Sequence, residues 1–260
     1  MSAHWDPYED IAAYYDMLHA SLNDDIGLVL SLAAKGAPVL ELGCGTGRLI
    51  LPLVRAGYAV TGVDRSLPML LRAKEHIAKE SVAVRERIQL LCADMVDFAL
   101  ADARFKLALI PYNTLMHLDH ANAVAACRNI RRHLAPGGRL FIDIVNPLLV
   151  EQTPNDQQLS LERTFTDTAS GELVVVMAAN ELDAGRQILN ITWLFDASSQ
   201  RGGYITRRVA RIMYHYYYPH QLELVIQEAE LELVALYGSY RQEPYGEDSE
   251  RLLLLARRAS

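Results

Sequence analysis

Three glycines at alternate positions, Gly43, Gly45 and Gly47, follow a short apolar run over 38–42 that carries one acid, Glu41. Glycine allows a tight turn and lets a ligand press against bare backbone. The helical pattern after it, over 48–56, begins with free N–H groups that favour an anionic group. Glu41 pulls the other way, because its carboxylate repels a phosphate and holds an ammonium. Asp64 closes the next apolar run, about twenty residues beyond the first glycine, where a carboxylate can accept hydrogen bonds from both hydroxyls of a ribose. Asp94, in Cys92-Ala93-Asp94-Met95, can accept from an adenine amino group, and Met95 offers a backbone N–H and an apolar wall. Met69 can cover the other adenine face. Together these residues fit a ligand that joins an adenosine to an ammonium. A dinucleotide fits less well, since its fingerprint is G-x-G-x-x-G and Arg48 stands where the third glycine belongs.

A second set could handle a reacting partner. Tyr112, Asn113 and His117 follow the fourth apolar run on the same side. An ordinary histidine, with a pKa of about 6.5, can take a proton from an ammonium or a hydroxyl near neutral pH. His117 could equally cap the next helix or pack on the N-terminal one. Tyr14, Tyr15, Asp16 and His19 lie within about two helical turns, and adjacent tyrosines on a helix point in different directions. The run Tyr214-His215-Tyr216-Tyr217-Tyr218 alternates faces if it is a strand, so one face could line a pocket. No His/Asp/Glu cluster has metal-ligand spacing, so no metal is expected.

The elements that must position these residues read as an alternation. Helices are expected over 11–22 and 25–34, strands over 39–42, 59–63, 88–91, 106–110 and 139–144, and helices over 48–56, 68–78 and 120–134. Ser66 is placed to cap the helix that Pro68 opens. Such β/α alternation predicts a parallel doubly wound sheet with ligands at the carboxyl ends of its strands. Beyond Pro147 the pattern changes to long β-branched and aromatic runs over 172–182, 187–195 and 204–217. These predict an antiparallel sheet of about three strands. A helix from Pro219 to position 231 and strands over 233–237 and 251–256 close the chain.

Composition narrows the function classes. A chain of 260 residues with 51% hydrophobic content can bury a full core as one domain, or as one domain with an insertion. The net charge of −7 and pI near 5.6 give no basic footprint, so nucleic acid is not expected as a partner. Three cysteines without C-x-x-C spacing indicate neither a disulfide framework nor a zinc site. No signal peptide is read in MSAHWDPYED, and no apolar run approaches the ~18 residues of a membrane span. A cytoplasmic protein without a membrane partner is expected.

The pattern Glu41-x-Gly43-x-Gly45-x-Gly47 resembles motif I of the class I S-adenosylmethionine (SAM) dependent methyltransferases. Asp64 matches the motif II acid, Asp94-Met95 the motif III position, and Pro111-Tyr112-Asn113 the motif IV position after the fourth strand. The block LAPGGRL over 134–140 matches the turn before the fifth strand. The likeness covers 39–146, and the tail is similar to small-molecule members such as bacterial sugar N-methyltransferases and glycine N-methyltransferase. One departure is Ala229-Glu230-Leu231, where many relatives have Ala-Gly-Phe. The resemblance implies an α/β fold: a Rossmann-like doubly wound seven-stranded methyltransferase sheet with an inserted antiparallel β-sheet. It implies a cofactor-capping segment at 1–37, a SAM-binding core at 38–150, an insert at 151–218 that roofs an acceptor or forms a dimer interface, and a completing tail at 219–260. It assigns Tyr15, Glu41, Gly43, Cys44, Gly45, Gly47, Asp64, Arg65, Met69, Asp94, Met95 and Pro111 to the cofactor. His117, Tyr14 and Tyr112 become the catalytic candidates, and Tyr240 and Arg241 are placed near the site. The implied reaction is in-line transfer of a methyl group from SAM to a nitrogen or oxygen of a small molecule, leaving S-adenosylhomocysteine (SAH). A homodimer is a possible assembly. A SAM-binding regulatory domain, a nucleotide-linked oxidoreductase and an aminopropyltransferase are the other functions weighed.

Overall fold

The computed structural model describes residues 6–33, 37–101, 104–199 and 201–259. Positions 1–5 and Ala34, to which the N-terminal segment and the second helix were expected to extend, lie outside the described residues. A seven-stranded sheet carries β1 (Val39–Leu42), β2 (Val60–Asp64), β3 (Ile88–Cys92), β4 (Phe105–Ile110), β5 (Leu134–Val145), β10 (Glu232–Tyr237) and β11 (Arg251–Arg257). Their order is β10-β11-β5-β4-β1-β2-β3. The five strands β1 to β5 run parallel, and β11 enters antiparallel between β5 and β10.

Strands covered on both faces need apolar residues on both faces, and the central strands supply them. Leu40, Ala108, Ile142 and Leu254 turn to the face that packs on α6 (His120–His133) and α8 (Pro219–Glu228). Val39, Leu107, Phe141 and Leu253 turn to the other face, under α2 (Ile26–Leu32), α3 (Ile50–Arg55) and α4 (Leu67–Ala78). The strand order reverses between β1 and β4, the switch point at which a doubly wound sheet opens a crevice for ligands. Ser66 accepts from the Met69 N–H at 3.4 Å and so caps α4, with Pro68 in its first turn.

Several features differ from expectation. The insert has four antiparallel strands rather than about three, because β6 (Ser160–Thr166) precedes β7 (Leu173–Asp183), β8 (Ile188–Ser198) and β9 (Ile205–His215). The β6 sequence, SLERTFT, is almost wholly exposed and lacks an apolar alternation to announce it. The tyrosine run also leaves the sheet early: β9 ends at His215, and Tyr216 and Tyr217 sink into the main core instead. Short helices α5 (Val82–Arg85) and α7 (Pro147–Glu151) and a 3-10 turn over Thr114–His117 were not anticipated. After the last helix, Glu230 adopts a left-handed φ of 55°, a conformation that glycine takes more readily.

Candidate functional site

A cavity of about 390 Å³ opens at the carboxyl ends of β1, β2, β3 and β4. Its floor begins at the glycine turn. Gly43, Gly45 and Gly47 have φ of 66°, 51° and 85°. A Cβ on Gly43 would stand 2.3 Å from Thr114 Cγ2, so this position needs glycine for space as well as for conformation. Asp64 braces the turn, accepting from Gly45 N at 2.7 Å and from Ser66 N at 2.8 Å. Burial nonetheless raises its pKa, and those two N–H groups only partly offset the effect.

Glu41 lies beneath this turn at 2% exposure. Its Oε2 has no hydrogen-bond partner, and burial, partly offset by Arg48, pushes its pKa up to about 8. A buried carboxylate oxygen left unpaired is costly, so the fold leaves an acceptor for a cationic group that the chain itself does not provide. Arg48 cannot serve fully, because its guanidinium is bound to both Asp25 oxygens at 2.7 and 2.6 Å. Asp94, after β3, accepts from Val96 N at 2.9 Å, and Met69, Ala93 and Met95 stand beside it in the cavity wall.

The N-terminal helix α1 (Ala12–Leu18) closes one side. Asp16 ties it to α4 through Arg72 Nη2 at 3.0 Å and His76 Nε2 at 3.2 Å. Tyr15 and His19 face inward, with ring centroids 4.2 Å apart. The opposite side is the insert, which brings Ile191, Trp193, Ile212 and Tyr214 to the cavity. Between them, the Tyr8 hydroxyl lies 2.9 Å from His117 Nε2, and the Tyr214 ring centroid is 4.9 Å from that of His117. Desolvation first, and then Arg65, push the His117 pKa down to about 4. Burial raises the Tyr8 pKa and brings that of Tyr214 to about 12. At neutral pH this group of side chains is uncharged.

Of the residues expected from sequence, Tyr15, Gly43, Asp64, Arg65, Met69, Asp94, Met95, Tyr112 and His117 line the one cavity. Gly47 lines a smaller recess of about 200 Å³ beside Arg48 and His76. Glu41, Cys44, Gly45 and Pro111 do not line the large cavity; Gly45 belongs to the glycine turn, Glu41 is buried in β1 before it, and Cys44 is buried against Gly62. The expectation for Tyr14 needs correction. It is 4% exposed and stacks on Phe195 with centroids 5.6 Å apart, in the core that joins α1 to the insert. Neighbouring positions on a helix face different ways, and Tyr15 takes the cavity side. The helix after the glycines also starts later than expected, at Ile50, and has six residues. Arg241 is exposed, whereas Tyr240 reaches inward to Asp143. Sequence reasoning missed Tyr8 and Trp193. The Tyr14–Tyr15 doublet drew attention away from Tyr8, and Trp193 becomes visible only once the register of β8 is known.

Among the described residues no group of three or more His, Cys, Asp or Glu side chains could hold a metal ion, and no helix is long and apolar enough to cross a membrane. Residues 39–138 match the family model described as a methyltransferase domain. The cypemycin N-terminal methyltransferase of a Streptomyces species is 28% identical over 250 residues, 94% of each chain. A ubiquinone biosynthesis O-methyltransferase of Xylella fastidiosa is 34% identical over 149 residues, 57% of this chain and 56% of that one. The solved CcbJ methyltransferase from Streptomyces caelestis is 27% identical and superposes with a TM-score of 0.80 over 98% of this chain and 100% of that one. The orphaned Glu41 oxygen, the bare Gly43, Asp64 at the end of β2 and Asp94 just past β3 suit SAM, which carries an ammonium and an adenosine, and a nucleotide-linked oxidoreductase is set aside. This chain carries a methyltransferase domain over 39–138 and is a SAM-dependent methyltransferase.

Proposed function

We propose that this enzyme methylates a small molecule on a nitrogen or oxygen nucleophile, with an amine nitrogen favoured. One observation carries this reading: the aromatic chamber of Tyr8, His117, Trp193 and Tyr214 is continuous with the cavity above the glycine turn. Relatives add support, because the cypemycin N-terminal methyltransferase matches through the insert, whereas the O-methyltransferase match spans about half the chain.

In this reading Glu41 holds the ammonium of SAM, Asp64 its ribose hydroxyls and Asp94 its adenine. Bound SAM supplies a sulfonium whose methyl group is already activated toward a nucleophile. The chain's residues then have to align the acceptor, exclude water and receive a proton. Residues 6–33 of the N-terminal segment cap the cofactor, and the β6–β9 sheet of the insert roofs the acceptor. The insert's outward side, where Leu161, Val209 and Met213 are exposed, is left for the alternative role of a dimer contact. Tyr15 lies along the cofactor side, and Tyr112 forms the floor. His117 is neutral at pH 7, and its Nε2 faces the Tyr8 hydroxyl. It takes the acceptor's proton directly or through that hydroxyl, as a weaker base than the ordinary histidine expected from sequence, because burial lowers its pKa.

The test is SAH formation from SAM with a peptide bearing a free N-terminal alanine, prolinamide, glucosamine and catechol. Turnover with at least one amine and not with catechol is expected. His117→Asn should lower that turnover about a hundredfold or more while SAM affinity stays unchanged. Turnover on catechol alone would move the reaction to oxygen. A His117→Asn enzyme as active as wild type would remove the base.

A further inference from the structure

The corner after β4 consists of two consecutive non-glycine residues in the left-handed region, Tyr112 at φ 42° and Asn113 at φ 66°. That region is disfavoured for any residue with a Cβ, and most for a bulky one. Such geometry persists only where the surroundings over-determine it. Here the surroundings come from the far end of the chain. Asp143 on β5 is fully buried; its carbonyl accepts from Asn113 N at 2.8 Å, and its Oδ2 lies 3.3 Å from Tyr112 N. Arg251, the first residue of β11, donates from Nε to Asp143 Oδ1 at 2.8 Å and from Nη2 to Asn113 Oδ1 at 3.1 Å. Its guanidinium carbon also sits 5.2 Å from the centre of the Tyr112 ring. Tyr240 donates to Asp143 Oδ2 at 3.0 Å, and Asn113 Oδ1 accepts from Val145 N at 2.8 Å.

What hangs from this corner faces the chemistry. The Asn113 carbonyl accepts from Met116 N at 2.9 Å and so starts the 3-10 turn Thr114–His117. That turn presses Thr114 against Gly43 and ends on His117, while Tyr112, Asn113, Thr114 and His117 all line the cavity. Arg251 and Asp143 do not line it.

We propose that Arg251 is a positioning residue for methyl transfer, acting through Asn113 and Asp143 to hold the turn that presents Tyr112 and His117. A planar guanidinium is needed because two acceptors and a ring face must be met at once, which an ammonium cannot do. The inference rests on the methyl-transfer reading only for what the turn is held in place to do.

Removing Arg251 outright would leave Asp143 buried and unpaired, so gentler variants are used. Asn113→Gly keeps the left-handed φ at little cost and leaves the Arg251–Asp143 pair in place. Arg251→Lys keeps a cation beside Asp143 and loses the bridge to Asn113. Hydrogen–deuterium exchange on the SAH-bound protein reads the turn without any acceptor. Each variant should speed exchange across 112–118 about tenfold or more, with 43–47 unchanged. Turnover of the N-terminal-alanine peptide should show kcat reduced by a similar factor at unchanged SAM affinity. The double variant should be no worse than Asn113→Gly alone, since Arg251→Lys keeps the pair with Asp143 and removes only the bridge to Asn113. Additive losses, unaltered exchange across 112–118, or a kcat loss that merely follows SAM affinity or melting temperature would each overturn the proposal.

Discussion

The two sheets meet the cavity in different ways. The seven-stranded sheet brings polar groups at the ends of its strands: the Asp64 carboxylate at the end of β2, Asp94 just past β3, and the bare backbone of the glycine turn after β1. The four-stranded sheet brings Ile191, Trp193, Ile212 and Tyr214 from within β8 and β9, held by cross-strand pairs such as Ile191 with Ile212. Charged and hydrogen-bonding anchors suit a ligand of one fixed structure, because each must be matched or left costly. A half-buried apolar wall discriminates by shape and area, which tolerates change in the ligand. Under the proposed reading, polar anchors of the main sheet hold the donor and the insert's apolar wall meets the acceptor, so a change in the insert alters acceptor choice without touching the donor site.

The comparison can be broken from either side. On the floor, Asp64→Ala removes an acceptor of charge-assisted hydrogen bonds worth about 1.5–3 kcal/mol, so SAM affinity should fall roughly tenfold to a hundredfold. Because Gly45 N and Ser66 N both donate to Asp64, the ligand-free protein should also melt at a lower temperature. A purely ligand-facing carboxylate would have left melting unchanged. Calorimetric titration together with thermal melting separates the two effects. On the roof, Trp193→Ala should raise KM for the acceptor about tenfold through lost aromatic contact area, while SAM affinity stays put. Steady-state kinetics in both substrates would show it. A Trp193→Ala variant that weakened SAM instead would erase the division between floor and roof.

The sequence exposed the floor better than the roof for a physical reason. Parallel strands buried on both faces are near-continuous apolar runs, so acids and glycines at their ends stand out: Glu41, Asp64 and Asp94 could be picked before any contact was known. Side chains of the insert are chosen by register, and a slip of one residue would send Trp193 to the opposite face. Nothing local in 188–198 reports that register. β6 was invisible because it is a polar edge strand, and the Tyr112–Asn113 corner because left-handed tyrosines leave no compositional mark. Tyr14 shows the limit of a doublet: proximity to a site in sequence does not say which of two adjacent residues turns toward it.

The most direct test of SAM seated over the glycine turn is calorimetric titration of SAM into wild type and Glu41→Gln from pH 6 to 9. Burial raises the Glu41 pKa from 4.5 to about 8 in the free protein. Proton uptake on folding therefore contributes stability that is full below the unfolded value and is lost as pH rises toward 8. Binding an ammonium favours the ionised carboxylate, so SAM affinity should increase as pH climbs to that value, with protons released on binding. Above it the ligand's own amine, with a pKa of about 7.7–8.0 for an α-amino group, loses its charge and affinity falls again. Wild type should show a bell-shaped affinity centred near pH 8, and Glu41→Gln weaker binding without the acid limb. Equal affinity and equal pH dependence in the two proteins would contradict that seating of SAM.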